Sequence, residues 1–207
     1  MTTVKGPVDA RGQRRVLIGL ALLFFAPLAF AFVLYYGFAW RPGARVNHGD
    51  LIDPPRPLIA PAMPRVAMGG AEARGESGPD LLKHKWTLLY VGPGECPTRC
   101  RTNLYNTRQV RTALGHDMER VQRVFIADGP CCDLDFIAAQ NRDLVTVRST
   151  PEAAPLLEQL RNGDPSAADR IYLIDPLGNL MMSYAPDAPP KGMLQDLKRL
   201  LGLSSVG

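Results

Sequence analysis

The chain has 207 residues, 46% of them apolar and 21% charged, with a formal net charge of +4. That length holds one ordinary domain with appendages, and the basic residues, spread along the chain without any nucleic-acid motif, argue against nucleic acid as a partner. No phosphate-cradling loop, readable pair of catalytic carboxylates or serine-histidine constellation occurs, so the chemistry has to be sought among the four cysteines.

Residues 1–15 form a short polar tail carrying Lys5, Arg11, Arg14 and Arg15. Residues 16–40, from Val16 to Trp40, contain no charge and are long enough as a helix to cross a hydrocarbon core of about 30 Å. Pro27 lies inside this run, a residue that transmembrane helices tolerate. Only Arg41 and Arg45 follow closely, so the positive-inside rule keeps the N-terminus cytoplasmic and exports the rest. Ala29-Phe30-Ala31 reads as a signal-peptidase site, but the apolar run continues past it, which favours an uncleaved single-span anchor. Either reading places the domain in an exported compartment, the periplasm of a bacterial-type cell or an intermembrane space. There, an even number of cysteines implies pairing.

Residues 41–80 carry Pro42, Pro54, Pro55, Pro57, Pro61, Pro64 and Pro79. They read as a linker, with an extended proline-rich half and a flexible glycine-rich half, that spaces the domain from the bilayer. Leu51-Ile52 and Leu58-Ile59 are the apolar pairs in it that could dock on the domain. From Leu81 short apolar runs alternate with helical stretches, the pattern of βαβ units around a central sheet. Strands are expected at 86–91, 121–127, 144–148, 171–174 and 180–184, the last two flanking the turn Asp175-Pro176-Leu177-Gly178-Asn179. Helices are expected at about 97–114, ended by Gly115, at 133–140, at 151–161 with proline at its first position, and at 191–201. In the last of these Met193, Leu194, Leu197, Leu200 and Leu201 share one side. The order β-α-β-α-β-α-β-β-α over residues 81–203, before a tail at 204–207, is an α/β, thioredoxin-like arrangement with one insertion.

Trp86 to Leu104 is the stretch that concentrates chemistry. Gly92, Pro93 and Gly94 break the first strand, and Cys96 and Cys100 open the following helix. Four residues apart on a helix, they share a face about 6 Å apart at Cα, within reach of a disulfide or a shared metal. In the first turn, unpaired backbone N–H groups and the helix dipole favour a Cys96 thiolate, the state of a reactive sulfur at an exposed rim. Arg99 beside the thiols works in the same direction. A static disulfide is the plainer alternative, but so short a loop gains little stability from closure.

Cys131 and Cys132 follow the second strand. Parallel neighbours in one sheet put the loops after their carboxyl ends along one edge, so all four thiols are expected near each other. The plainer reading of Cys131 and Cys132 is a buried pair or a vicinal disulfide of local importance. His48 in the linker and His116 past a helix end are expected to be solvated, and His84 lies at the far end of the first strand from the cysteines. Met181 and Met182 point to opposite faces of a strand and are expected to pack the core.

Lys85-Trp86 and the strand after it, Cys96-Pro97-Thr98-Arg99-Cys100, and Tyr172-Leu173-Ile174-Asp175-Pro176-Leu177-Gly178 resemble the Sco/SenC family of membrane-anchored, thioredoxin-fold assembly factors for cytochrome c oxidase. The resemblance covers residues 81–203 and the anchor. It implies a CPxxCP-type motif that binds copper or exchanges disulfides while the oxidase copper centre matures, and it transfers that role to Cys96 and Cys100. The partners implied are the membrane and an oxidase subunit or another redox or copper protein. Arg101 stands where the motif has its second proline, and residues 164–171 hold no histidine where the family has its third copper ligand. Cys131 or Cys132 is then expected to replace that histidine, as a metal donor in a copper set of Cys96, Cys100, Cys131 and Cys132, or as a resolving thiol for a disulfide at Cys96. Two other readings stand beside this one: a general thiol-disulfide oxidoreductase and a non-catalytic, membrane-tethered interaction module.

Overall fold

The computed structural model describes residues 10–37, 47–66, 75–161 and 169–204. It divides into two compact units, 1–46 and 47–207. The first contains α1 (Ala10–Phe32), which continues as a π-helical turn over Val33–Gly37. Residues 12–32 have a mean hydropathy of 2.2, and every one is exposed. This is a helix long and apolar enough to cross a membrane, and Pro27 lies within it without ending it. It begins earlier than the apolar run because arginines and alanine are good helix formers. The last residues of the expected span, 38–40, lie outside the described residues.

The second unit is built on a six-stranded sheet in the order β1-β6-β5-β2-β3-β4. Its strands are β1 (Asp50–Pro57), β2 (Trp86–Pro93), β3 (Val121–Asp128), β4 (Leu144–Arg148), β5 (Ile171–Ile174) and β6 (Asn179–Tyr184). The helices are α2 (Thr98–Thr112), α3 (Leu134–Gln140), α4 (Ala154–Arg161) and α5 (Pro190–Leu203). β2, β3 and β4 are parallel, whereas β5 runs antiparallel to β2, and β6 runs antiparallel to both of its neighbours, β5 and β1. The fold is α/β and thioredoxin-like, and each strand expected from 81 onward forms. β5 and β6 make the expected hairpin around Asp175, whose carboxylate accepts hydrogen bonds from the Leu177 and Asn179 backbone N–H groups.

Both faces of the sheet are covered. Leu88, Tyr90, Phe125 and Leu173 join Leu104, Val110, Met193, Leu197 and Leu201 of α2 and α5 on one face. Leu89, Val124, Ile126, Tyr172 and Ile174 join Leu156, Leu157 and Leu160 of α4 on the other. Alternation along each strand sends these sets to opposite sides. The eight-residue α4 covers only part of its face, and Leu58, Ala60, Met63, Leu81 and Leu82 complete it.

That need for cover is why the stretch expected as a linker is partly built into the fold. Residues 50–57 form edge strand β1 against β6, with register pairs Leu51↔Met182 and Arg56↔Leu180, and the pairing slips between them. Leu58 docks as an apolar residue of this segment should, while its neighbour Ile59 is exposed. The glycine-rich residues 67–74 lie outside the described residues.

Candidate functional site

β2 and β3 pair in parallel to their last residues, Pro93 opposite Asp128, so the loops after them leave the same sheet edge side by side. β5 is antiparallel to β2, and Tyr90 pairs with Ile171, so the residues before β5 arrive at that edge too. The carboxyl edge therefore gathers three segments: Gly94–Cys100, Gly129–Asp133 and the turn at Asp169.

Cys96 and Cys100 are disulfide-bonded, 5.0 Å apart at Cα. Two expectations for them change. The helix starts at Thr98 with Pro97 as its N-cap, so Cys96 lies outside it, with a positive φ of 47°. Proline favours the extended N-cap conformation seen here and directs the chain into the helix only after it. Nor are the sulfurs presented at an exposed rim, since both residues have no accessible surface. They pack in the cluster that contains Leu104, Ala127 and Phe136.

Cys131 and Cys132 form a second, vicinal disulfide and are partly exposed, resting against the same cluster. The two pairs lie in loops that pack closely. A Cβ on Gly94 would collide with the Pro130 carbonyl oxygen and stand 2.8 Å from Cys131 Cα, so only glycine allows this approach. The Gly94 N–H donates to Asp128 O at 2.9 Å, tying the starts of the two loops together.

Arg101 completes the junction. Its Nε donates to Cys96 O at 3.2 Å, Nη2 pairs with the Asp133 carboxylate, and the guanidinium lies 4.6 Å from the centroid of the Phe136 ring. Asp133 also caps α3, accepting from Phe136 N at 3.1 Å. In the sequence Arg101 reads as a departure from a proline and as part of a basic, solvated helix face; the signal for its role is Asp133, a carboxylate at an N-cap directly after the second cysteine pair.

Across the edge, Tyr90 donates to Asp169 Oδ1 at 2.7 Å, Asn103 Nδ2 donates to the Asp169 carbonyl at 3.1 Å, and Arg99 lies 3.7 Å from Asp169 Oδ2. Arg99 thus has a carboxylate partner in addition to its place beside the cysteines. Burial, and then the hydrogen bond to Asp169, push the Tyr90 phenol well above its ordinary range. A cavity of about 250 Å³ opens beside these groups, bounded by Gly92, Pro93, Asp128, Arg161, Asp169 and Tyr172.

Of the histidines, His116 is exposed beside Asp117, and His84 is exposed before β2. His48 is exposed, as expected, and is also fastened. Its backbone N–H donates to Asp196 Oδ2 at 2.8 Å and its Nδ1 lies 3.2 Å from Asp196 Oδ1. Gly49 N–H and the Tyr184 hydroxyl donate to the same carboxylate, which is buried. A buried carboxylate needs such donors, and the incoming chain supplies three of the four. Met182 packs in the core, and Met181, partly buried, rests against the same cluster and not on the opposite face as expected, because the β5–β6 register shifts at this point.

Fold and site together define a thioredoxin-like protein with a disulfide at the junction of its first parallel strand and the following helix. The chain belongs to the family described as transmembrane-like, thioredoxin-like, C-terminal domain, which matches residues 86–204. Solved structures similar to it include apo Sco1 of Thermus thermophilus, 20% identical over 76% of this chain and 99% of that one, with a TM-score of 0.60. Copper-bound ScoI of Bradyrhizobium japonicum is 24% identical over 69% of this chain and 98% of that one, with a TM-score of 0.52. BsSco, described as a member of the Sco family of cytochrome c oxidase assembly proteins with a disulfide switch, is 16% identical over 72% and 96%, with a TM-score of 0.52. No curated protein sequence matches the chain. The Sco/SenC resemblance is thus met in the fold.

The donor set is narrower than that resemblance implies. Among the described residues no three histidine, cysteine, aspartate or glutamate side chains group closely enough to hold a metal ion. The cysteines stand as two bonded pairs, so the expected set of Cys96, Cys100, Cys131 and Cys132 does not fit a copper site as arranged here.

Proposed function

We propose that this chain is a membrane-anchored, Sco-like protein that assists assembly of cytochrome c oxidase by thiol-disulfide exchange at Cys96 and Cys100. The observation that carries the reading is the position of their disulfide, directly after β2 of a Sco-type fold, at the carboxyl edge where open α/β sheets keep their chemistry. The N-terminal arginines keep the tail cytoplasmic and the domain exported, on the side where client cysteines tend to oxidise.

When reduced, the pair gives two electrons and two protons to a client disulfide. The oxidised pair is sealed, so this step belongs to the reduced state with the loops parted: one thiolate attacks a client sulfur, a mixed disulfide forms, and the second thiol resolves it. Cys96–Cys100 re-forms and the client leaves as a dithiol. Residues Cys96 and Cys100 carry this step; copper is not assigned one, because the donor set does not fit it.

The test is Cys96→Ser and Cys100→Ser in the full-length chain in its native host, reading assembled oxidase by membrane spectra and activity. Loss of oxidase, restored by wild type, is expected; normal oxidase in both variants overturns the reading. A potential for the pair above about −300 mV, in the range of exchanging disulfides, is the accompanying expectation. A general oxidoreductase would instead lose oxidation control over many exported proteins, and an interaction module would tolerate both substitutions.

A further inference from the structure

An incoming thiolate must touch a sulfur before it can exchange with it, so access decides which disulfide reacts first. In this fold the pair with the catalytic position is sealed, whereas the second pair is open. Cys96 and Cys100 have no accessible surface, and Cys131 and Cys132, the other cysteines in the chain, are partly exposed.

The two loops are joined at three points. Gly94 lies against Pro130 and Cys131, its N–H bonds Asp128 O, and Arg101 spans from Cys96 O to Asp133, the residue after Cys132. All four cysteines belong to or rest against one apolar cluster. We infer that Cys131–Cys132 is the port through which an external dithiol delivers electrons to the buried Cys96–Cys100 pair. The inference rests on the exchange chemistry proposed above and adds its route.

The steps balance as follows. An external dithiol attacks the Cys131–Cys132 bond, and its second thiol resolves the mixed disulfide, so the donor leaves oxidised and Cys131 and Cys132 become thiols. One of these, as a thiolate, attacks a sulfur of Cys96–Cys100. A bond forms between the loops as the Cys96–Cys100 bond breaks, and the released thiolate takes up a proton. The remaining thiol, one residue away, attacks the bond between the loops. Cys131–Cys132 re-forms, and Cys96 and Cys100 are left as thiols. Two electrons and two protons have moved inward for one external dithiol oxidised.

The test uses the full-length oxidised chain in detergent micelles with reduced thioredoxin as the external dithiol. Samples are quenched by alkylation and each pair is followed by mass spectrometry. In the wild-type chain Cys131–Cys132 should open first and Cys96–Cys100 after it. Replacing Cys131 and Cys132 together by serine should slow opening of Cys96–Cys100 at least tenfold, and Cys131→Ser alone should trap a bond from Cys132 to Cys96 or Cys100. The proposal is overturned if Cys96–Cys100 opens first in the wild-type chain, a measurement that needs no variant, or opens equally fast without the second pair. In those cases exchange at Cys96–Cys100 survives and only the route fails. If that pair stays closed in the native chain under excess dithiothreitol, the exchange reading itself fails.

Discussion

The Arg101 guanidinium binds Cys96 through its backbone carbonyl and Asp133 through its carboxylate, so one side chain fastens the first cysteine loop to the start of α3. Both partners are partly solvated, which limits the ion pair to under about 1 kcal/mol, and the Phe136 contact adds about 0.5–1 kcal/mol. Arg101→Ala should therefore lower stability only modestly, by about 1–2 kcal/mol in urea denaturation. Its larger effect should be on access, with faster reduction of Cys96–Cys100 than in wild type. A double-mutant cycle with Asp133→Ala that shows simple additivity would refute the coupling.

Gly94→Ala is the sharper probe of how closely the loops pack. The new methyl would meet backbone, the Pro130 carbonyl and Cys131 Cα, neither of which can swing aside as a side-chain tip can. Overpacking of this kind costs about 1–3 kcal/mol, and the loops should separate. Thermal unfolding and the reduction rates of both pairs should change together, and a wild-type melting curve would show that the loops do not meet as described.

Asp196 should be the most costly polar residue to truncate on α5. Its buried carboxylate receives His48 and Gly49 backbone N–H groups and the Tyr184 hydroxyl. Asp196→Ala leaves these donors without their acceptor, at about 1–3 kcal/mol for each that stays buried. Chemical denaturation should show a loss of about 2–4 kcal/mol, and limited proteolysis should cut the chain near His48 first. Resistance of that segment to proteolysis in the variant would mean the carboxylate does not hold it.

Stability should fall at alkaline pH through two tyrosines. Burial first, with Asp169 at Tyr90 and Asp196 at Tyr184, holds both phenols protonated well above their ordinary value near 10. Below that value both states are protonated and nothing is lost. Above it the unfolded chain ionises while the folded chain does not, so stability decreases as pH rises. Arg123 acts with the opposite sign. Burial pushes its guanidinium down to about 10 against the attraction of Asp143, so the folded form sheds its proton first. Tyrosinate absorbance in the folded chain should show Tyr90 and Tyr184 lagging until unfolding, assigned by comparison with Tyr90→Phe and Tyr184→Phe; ionisation of either at about 10 in the native state would contradict this burial.

The parts legible in the sequence are those specified by neighbours along the chain. The uncharged run before Trp40, the strand at Trp86–Val91, the hairpin around Asp175-Pro176 and the amphipathic α5 each follow from periodicity and turn chemistry within a few residues. The spacing of Cys96 and Cys100 likewise allowed their bridge. The edge strand at 50–57 was not legible, because Pro54, Pro55 and Pro57 read as an extended linker. That segment becomes a strand only where β6 offers a free edge and the second face of the sheet needs cover.

By itself, then, the amino-acid order determined an apolar N-terminal span, a thioredoxin-like element order and two candidate cysteine pairs. Only the tertiary structure decided that the first pair is sealed and the second open, that Arg101 and Asp133, 32 residues apart, clamp the loops, and that Asp196 captures His48 from 148 residues away. The reason is physical. Burial and hydrogen-bond partners depend on which chain segments meet across the sheet, and local propensity carries no record of those meetings.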